Sequence, residues 1–292
     1  MVDEAHGPHL KFHKDLPVSA VEAGADLCVQ SIHKILSGLS QGSVLHFQSD
    51  LVDLARVRRV VSFLQTTSPN YLILSSLDLA RRQAVMHGES MLSRVIHHAE
   101  SARKRLNQTK NFSCFGRNEI MARGYDLDVT KLTVNVTRTG FSGHEIEDIL
   151  AKEYRVQVDA SDLFNLIAIM GIGSDKSDVD KLVSSLEDIE KKYHGSAQNW
   201  VLQIPTLATE MVMVPRDVFL LYKSKRVPLS KAAGHISAQT LTPYPPGIPV
   251  LIPGERITQA IVDYLEDLAE KDIRVVGQEG ETLRTIKVVS VR

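Results

Sequence analysis

Three things are scarce in this chain: cysteine, aromatic residues and net charge. Only Cys28 and Cys114 occur in 292 residues, and both sit in apolar surroundings. They read as buried free thiols of a reducing compartment and exclude a disulfide framework. Aromatic residues make up 5 %, which disfavours a base-stacking platform for single-stranded nucleic acid. The net charge is −1, so neither a nucleic-acid surface nor an anionic membrane is an expected partner. Long apolar runs are missing too. The longest, around Leu163 to Ile172, falls far short of the ~20 residues of a membrane helix. The opening residues do not read as a secretory leader, and the expectation is a soluble, cytoplasmic protein.

What is present is an ordinary globular balance, 43 % hydrophobic and 24 % charged. The length suits one large domain or two to three modest ones. The pattern alternates between strand and helix. Ala25 to Ile32 reads as a buried strand and Ser43 to Phe47 as another. Pro17 to Gly24 is expected to be a short helix stopped by its glycine. Leu54, Val57, Val61 and Leu64 recur at helical spacing. A long helix is expected from Tyr71 to Asn107, with Gly88 as a bend. Residues 109–127 read as a linker. Strands are expected over Lys131 to Val136, Val156 to Val158 and Leu163 to Met170, and helices over Gly143 to Tyr154 and Asp178 to Lys192. Five of the eleven prolines fall between Pro243 and Pro253. A helix over Ile257 to Ala269 follows, then a hairpin joining Ile273–Val276 to Thr285–Val289 across Gln278-Glu279-Gly280.

The stretch Gln30-Ser31-Ile32-His33-Lys34 is where chemistry concentrates. A lysine at the end of a buried strand is a costly choice unless its amine has a task, such as condensing with an aldehyde. Asp3, at another strand end, supplies a carboxylate. Pyridoxal phosphate needs that pair, a lysine for its aldehyde and an acid for its ring nitrogen. Small polar residues, Gly38, Ser40, Gln41, Gly42 and Ser43, follow the lysine. Two weaker patterns have plainer readings. His6, His9 and His13 have a spacing a metal could use, but nothing completes a zinc site. Gly171-Ile172-Gly173 lacks the third glycine of a dinucleotide loop and reads as a strand-to-helix turn.

Asp3-Glu4-Ala5-His6-Gly7, Gly24-Ala25-Asp26, Gln30 to Lys34, Ser40-Gln41-Gly42-Ser43, Thr67-Ser68-Pro69, Tyr244 to Pro249 and Pro253-Gly254-Glu255 stand in an order that resembles the PLP-dependent ornithine/lysine/arginine decarboxylases, enzymes of the aspartate-aminotransferase fold type. The resemblance implies an α/β chain: part of a fold type I large domain over residues 1–108, a linker over 109–127, a small α/β domain over 128–225 and a C-terminal decarboxylase domain over 226–292. It implies Lys34 as the Schiff-base lysine and Asp3 as the partner of the pyridine nitrogen. Ala5 would pack against the ring, and Ser31 and His33 would touch the phosphate. Thr66 would reach the phosphate site of a partner subunit, since such sites form at dimer interfaces. Glu255 would lie near the cationic end of the substrate. The implied activity is decarboxylation of a basic amino acid, arginine ahead of lysine or ornithine, by a homodimer or larger homo-oligomer. The family's phosphate-cupping loop and ring-stacking histidine have no counterpart here, so an N-terminally truncated chain is expected. Two rival readings stay open: a non-catalytic or partner-binding fragment of such an enzyme, and a PLP aminotransferase.

Overall fold

A computed structural model describes residues 1–193, 209–243, 247–271, 273, 275–280 and 282–290. The contacts divide the chain into two units, Met1–Asp159 with Asn165–Ala197, and Ala160–Phe164 with Gln198–Arg292. This division differs from the four segments expected from sequence. The long helix and the sheet after the supposed linker share one apolar core, which contains Val95, Ala99, Leu106, Leu132, Val134, Leu166 and Leu186. Burial of a common apolar face, rather than composition, decides the grouping.

The first unit begins with a three-stranded sheet: β1 (Val2–Asp3), β2 (Leu27–Ser31) and β3 (Ser43–Phe47), in that spatial order. β1 runs parallel to β2, with Asp3 opposite Val29, and β2 runs antiparallel to β3. Along β2 only Cys28 and Gln30 are buried. That is the period-two signature of a strand with one covered face, not the wholly buried strand expected. Pro17 to Gly24 forms turns instead of a helix. Gly24 does end them, at φ 85°, a conformation glycine adopts without strain.

α1 (Ile32–Ile35) is a single turn at the end of β2, and it carries Lys34. α2 (Leu54–Leu64) is capped by Asp53, whose side chain accepts from the Ala55 amide. None of its residues is buried, so its apolar stripe is not the core face that the spacing suggests.

α3 (Tyr71–Leu106) starts where the Asn70 side chain accepts from the Leu72 and Ile73 amides. Gly88 does not interrupt it. A Cβ there would lie 2.9 Å from Phe12 Cβ, so the glycine admits a side chain against the helix backbone. One face of α3, from Ala80 to Leu106, is buried, and Arg103, Lys104 and Arg105 close the helix.

Beyond α4 (Arg117–Met121), β4 (Lys131–Asn135) pairs antiparallel with β6 (Asn165–Ile169). Between them lie α5 (Gly143–Ile149), continued by a π-helical turn to Tyr154, and β5 (Ala160–Ser161), which groups with the second unit. Val156 to Val158 is not a strand. α6 (Lys176–Lys192) opens on Asp175, whose carboxylate accepts from the Ser177 and Asp178 amides.

The second unit contains α7 (Pro215–Leu221), β7 (Ser224–Pro228), β8 (Thr242–Pro243), α8 (Gln259–Glu270), β9 (Val275–Val276) and β10 (Thr285–Val289). Ile261, Val262, Leu265 and Leu268 of α8 join Leu241, Leu251, Ile286 and Val288 in its core. The expected hairpin does not form. β9 pairs with β8, and β10 pairs with β7. Each strand finds an antiparallel partner upstream in sequence, a choice that local turn signals do not reveal. Of the proline-rich segment, Tyr244, Pro245 and Pro246 lie outside the described residues, as does Arg274 of the expected hairpin.

Candidate active site

The site of the first unit is built where β1 and β2 end side by side. β1 continues the sheet through the Glu4 amide, which donates to Val29 O at 2.9 Å, and the Ser31 amide donates to Ala5 O at 3.2 Å. Asp3 ends β1 exposed, with Oδ1 accepting from the Ala5 amide at 3.0 Å. That bond fixes the turn carrying Ala5 and His6. Lys34, one turn beyond β2, reaches back to it, with Nζ 3.0 Å from His6 Nε2. Lys34 is exposed. The expected burial penalty is therefore absent, because the helical turn lifts the side chain out of the sheet.

The floor is pinned from several sides. His33 Nδ1 lies 2.8 Å from Gly42 O, so the bond requires the proton on Nδ1. The Ile32 amide donates to the same oxygen at 3.1 Å. A Cβ on Gly42 would come 2.7 Å from Leu77 Cδ2, so the polar turn after Lys34 packs directly on α3. The Leu39 amide donates to Ser76 Oγ of α3 at 3.0 Å. Gly171 passes α1 closely, its virtual Cβ 3.3 Å from Ile35 O. This contact, rather than nucleotide binding, accounts for that glycine.

Beneath Lys34 runs a hydrogen-bonded chain that sequence reasoning missed. Glu4 Oε1 accepts from the Ala20 amide at 2.7 Å, and Oε2 accepts from Gln30 Nε2 at 2.5 Å. Gln30 Oε1 accepts from His46 Nε2 at 2.9 Å. Burial pushes the Cys28 thiol up to about 11, and the Glu4 charge adds to it. Gln30 shares the covered face of β2 with Cys28. A glutamine at that parity needs buried partners, which was the available signal.

His6, His9 and His13 do not converge. His13 Nε2 meets Ser93 Oγ at 2.9 Å, and the fully buried His9 places Nε2 3.1 Å from Asp128 Oδ2. Burial alone would raise the Asp128 carboxyl; the bonds and charges of His9 and Lys131 outweigh it and hold it far below the carboxylate range. Asp128 thus anchors the loop that follows the Asp3–His6 turn.

His6 is shifted down, first by partial burial and then by the charges of Lys34 and Lys131, while Asp159 and Asp3 oppose the shift. His6 thus lies within electrostatic reach of both Asp3 and Lys34.

The other expected residues are held differently. Ser31 N-caps α1 without a side-chain capping bond. Thr66 is exposed in the turn between α2 and α3, where its hydroxyl accepts from the Ser68 amide at 3.1 Å. Among the described residues no hydrogen bond joins it to the Lys34 cluster. Glu255 belongs to the second unit. Its Oε2 accepts from the Ile252 amide at 2.8 Å, and its Oε1 accepts from the Thr209 hydroxyl. Both oxygens therefore serve the local fold.

A family profile described as "Orn/Lys/Arg decarboxylase, major domain" matches residues 1–178, and one for the C-terminal domain matches residues 198–283. The chain belongs to the Orn/Lys/Arg decarboxylase family. The arginine decarboxylase of Bacillus subtilis (strain 168) is 37 % identical over 99 % of this chain, and that of Halalkalibacterium halodurans 38 % over 99 %. The match spans 59 % of each of these relatives, so the chain covers little more than half their length. The lysine decarboxylase of Francisella novicida superposes with a TM-score of 0.77 at 24 % identity, over 99 % of this chain and 53 % of that one. This likeness shows the α/β fold. Among the described residues no helix is long and apolar enough to cross a membrane.

Proposed function

We propose that this family member carries the lysine-bearing part of a PLP-dependent decarboxylase acting on a basic amino acid, arginine ahead of lysine or ornithine. The observation that carries the reading is the meeting of Asp3, His6 and Lys34 at two adjacent strand ends, with the lysine side chain exposed and its amine against His6. The substrate order rests on relatives: those 35–38 % identical are arginine decarboxylases, whereas the lysine decarboxylases are 22–24 % identical.

The residues present fit the cofactor. Lys34 offers an uncrowded amine, and Asp3 an exposed carboxylate with Oδ1 tied to the Ala5 amide. Ser31 has a hydroxyl not spent on capping its helix. With Nδ1–H committed to Gly42 O, His33 would donate to a phosphate oxygen only through a protonated Nε2, as the imidazolium. Lys34 would hold the aldehyde end, Asp3 the ring nitrogen, Ala5 the ring face, and Ser31 and His33 the phosphate. When bound, PLP supplies an electron sink for the negative charge left by loss of carbon dioxide. The Asp3 carboxylate would keep the ring-nitrogen proton in place, and the Asp3–Ala5 bond keeps that carboxylate from swinging away. The Lys34 amine would carry a proton to the substrate carbon. Glu255 as substrate receptor requires its bonds to Ile252 and Thr209 to open or to share the carboxylate, because a buried unpaired cation costs several kcal/mol.

The same reading includes self-association and a cytoplasmic location. α2 and the N-terminal half of α3 expose Val60, Phe63, Leu64, Tyr71, Leu72, Leu79 and Val85. An apolar face of that extent fits a second copy of the chain, and Thr66 stands between its two helices. The deciding experiment is borohydride reduction in the presence of PLP, with peptide mapping. Selective pyridoxyl label on Lys34, absent in Lys34→Ala, is the expected result; label spread over surface lysines alike in both proteins would overturn the reading.

A further inference from the structure

We propose that His6, in its neutral form, is the positioning residue of Lys34: its Nε2 accepts the amine's hydrogen bond and holds the amine above the Asp3–Ala5 turn. The inference rests on the decarboxylase reading for its purpose, but the contact stands without it.

Four observations support it. The distance is 3.0 Å between the two nitrogens. A lysine nitrogen carries protons to donate, so the bond needs the unprotonated Nε2 as acceptor. His6 is itself held by its turn, which the Asp3–Ala5 bond closes at 3.0 Å. Finally, Lys34 would otherwise be an exposed side chain with several rotatable bonds, and one fixed acceptor removes much of that freedom. The charged groups facing His6 are Lys34, Lys131, Asp159 and Asp3. Partial burial first, and then the two lysines, favour its neutral form, against the pull of the two carboxylates. Protonated His6 would have no lone pair for Lys34 and would repel its ammonium, so the arrangement is lost on the acid side.

The coupling is reciprocal. If Lys34 depresses the protonation of His6, removing the lysine charge must release it. The test is an NMR titration of the His6 ring, assigned with His6→Gln, in the full chain and in Lys34→Met without cofactor. The expected result is an upward move of the His6 titration in Lys34→Met, with His97 and His98 unmoved. The second arm is PLP capture at Lys34 under borohydride at neutral pH. His6→Ala should lose preference for Lys34 over exposed Lys152, whereas His6→Gln, whose amide oxygen replaces Nε2 as acceptor, should keep it. An unmoved His6 titration in Lys34→Met overturns the proposal, as does equal capture in His6→Ala and the parent chain. If PLP captures no lysine selectively in the parent, the decarboxylase reading fails, and the titration alone decides the role of His6.

Discussion

Replacing Arg103 by methionine should open the first unit locally. Its guanidinium is 5 % exposed and pairs with Glu100 at 2.7 Å. It also donates to Phe115 O at 2.9 Å, Val129 O at 3.3 Å and Lys131 O at 3.1 Å. One side chain thus ties α3 to the segment before α4 and to the start of β4. Methionine restores part of the apolar volume but no donor, leaving three carbonyl oxygens short of a partner. At about 1 kcal/mol each, the low end for an unsatisfied buried group, the cost is about 3 kcal/mol. That corresponds to about a hundredfold rise in local opening. Hydrogen exchange followed by mass spectrometry reads it directly. Peptides over residues 95–106 and 129–135 should lose about two orders of magnitude of protection, while peptides of α8 keep theirs. Arg103→Lys, with one compact donor group, should fall between. A change of less than about threefold in the 129–135 peptide would refute the latch, since it corresponds to under 1 kcal/mol.

Gly254 sits at φ 94°, and a Cβ there would meet Met213 O at 1.9 Å, whereas a Cβ on Gly280, at φ 93°, meets nothing within 4 Å. Gly254→Ala should therefore abolish or severely lower the thermal transition of the second unit, and Gly280→Ala should cost only the backbone term of about 1–2 kcal/mol. Burial places the Cys114 thiol at about 12, as it places Cys28 near 11. Iodoacetamide at pH 8 should leave both unmodified until denaturant is added; rapid alkylation of the native chain would contradict their burial. Asp128 has a folded pKa below its unfolded value of about 3.9, so its stabilisation is full above that value and is lost as pH falls further. The stability gap between the chain and Asp128→Asn, measured by urea titration, should shrink as pH falls below about 4; a gap that grows over that range would refute the assigned sign.

Much of the candidate site was legible because its residues are close in sequence. Asp3 to Gly7 and Gln30 to Lys34 are short segments, each chemically unusual for a strand end. The parallel pairing of β1 with β2 is the only long-range step needed to join them. What was not legible lay in contacts made across the fold. Nothing in the segments around Asp128 and Arg103 names their partners, yet both are pinned by groups far away in sequence. Gly88 reads as a bend because its neighbour Phe12 is invisible from the helix pattern. The stripe on α2 has the spacing of a core face and nevertheless none of it is buried, because periodicity states that a face is apolar but not what covers it.

The same distinction separates the two levels throughout the molecule. Local chemistry settled the α/β alternation and the identity of Lys34 as the residue to watch. These depend on side chains competing for nearby backbone groups and on apolar periodicity, both written within a few residues. Only the tertiary structure decided that β9 and β10 pair upstream rather than with each other, that Glu4, Gln30 and His46 form one chain beneath the site, and that His6 meets Lys34. Those outcomes depend on which distant groups burial brings together, and a partner's position is not encoded in the segment that needs it.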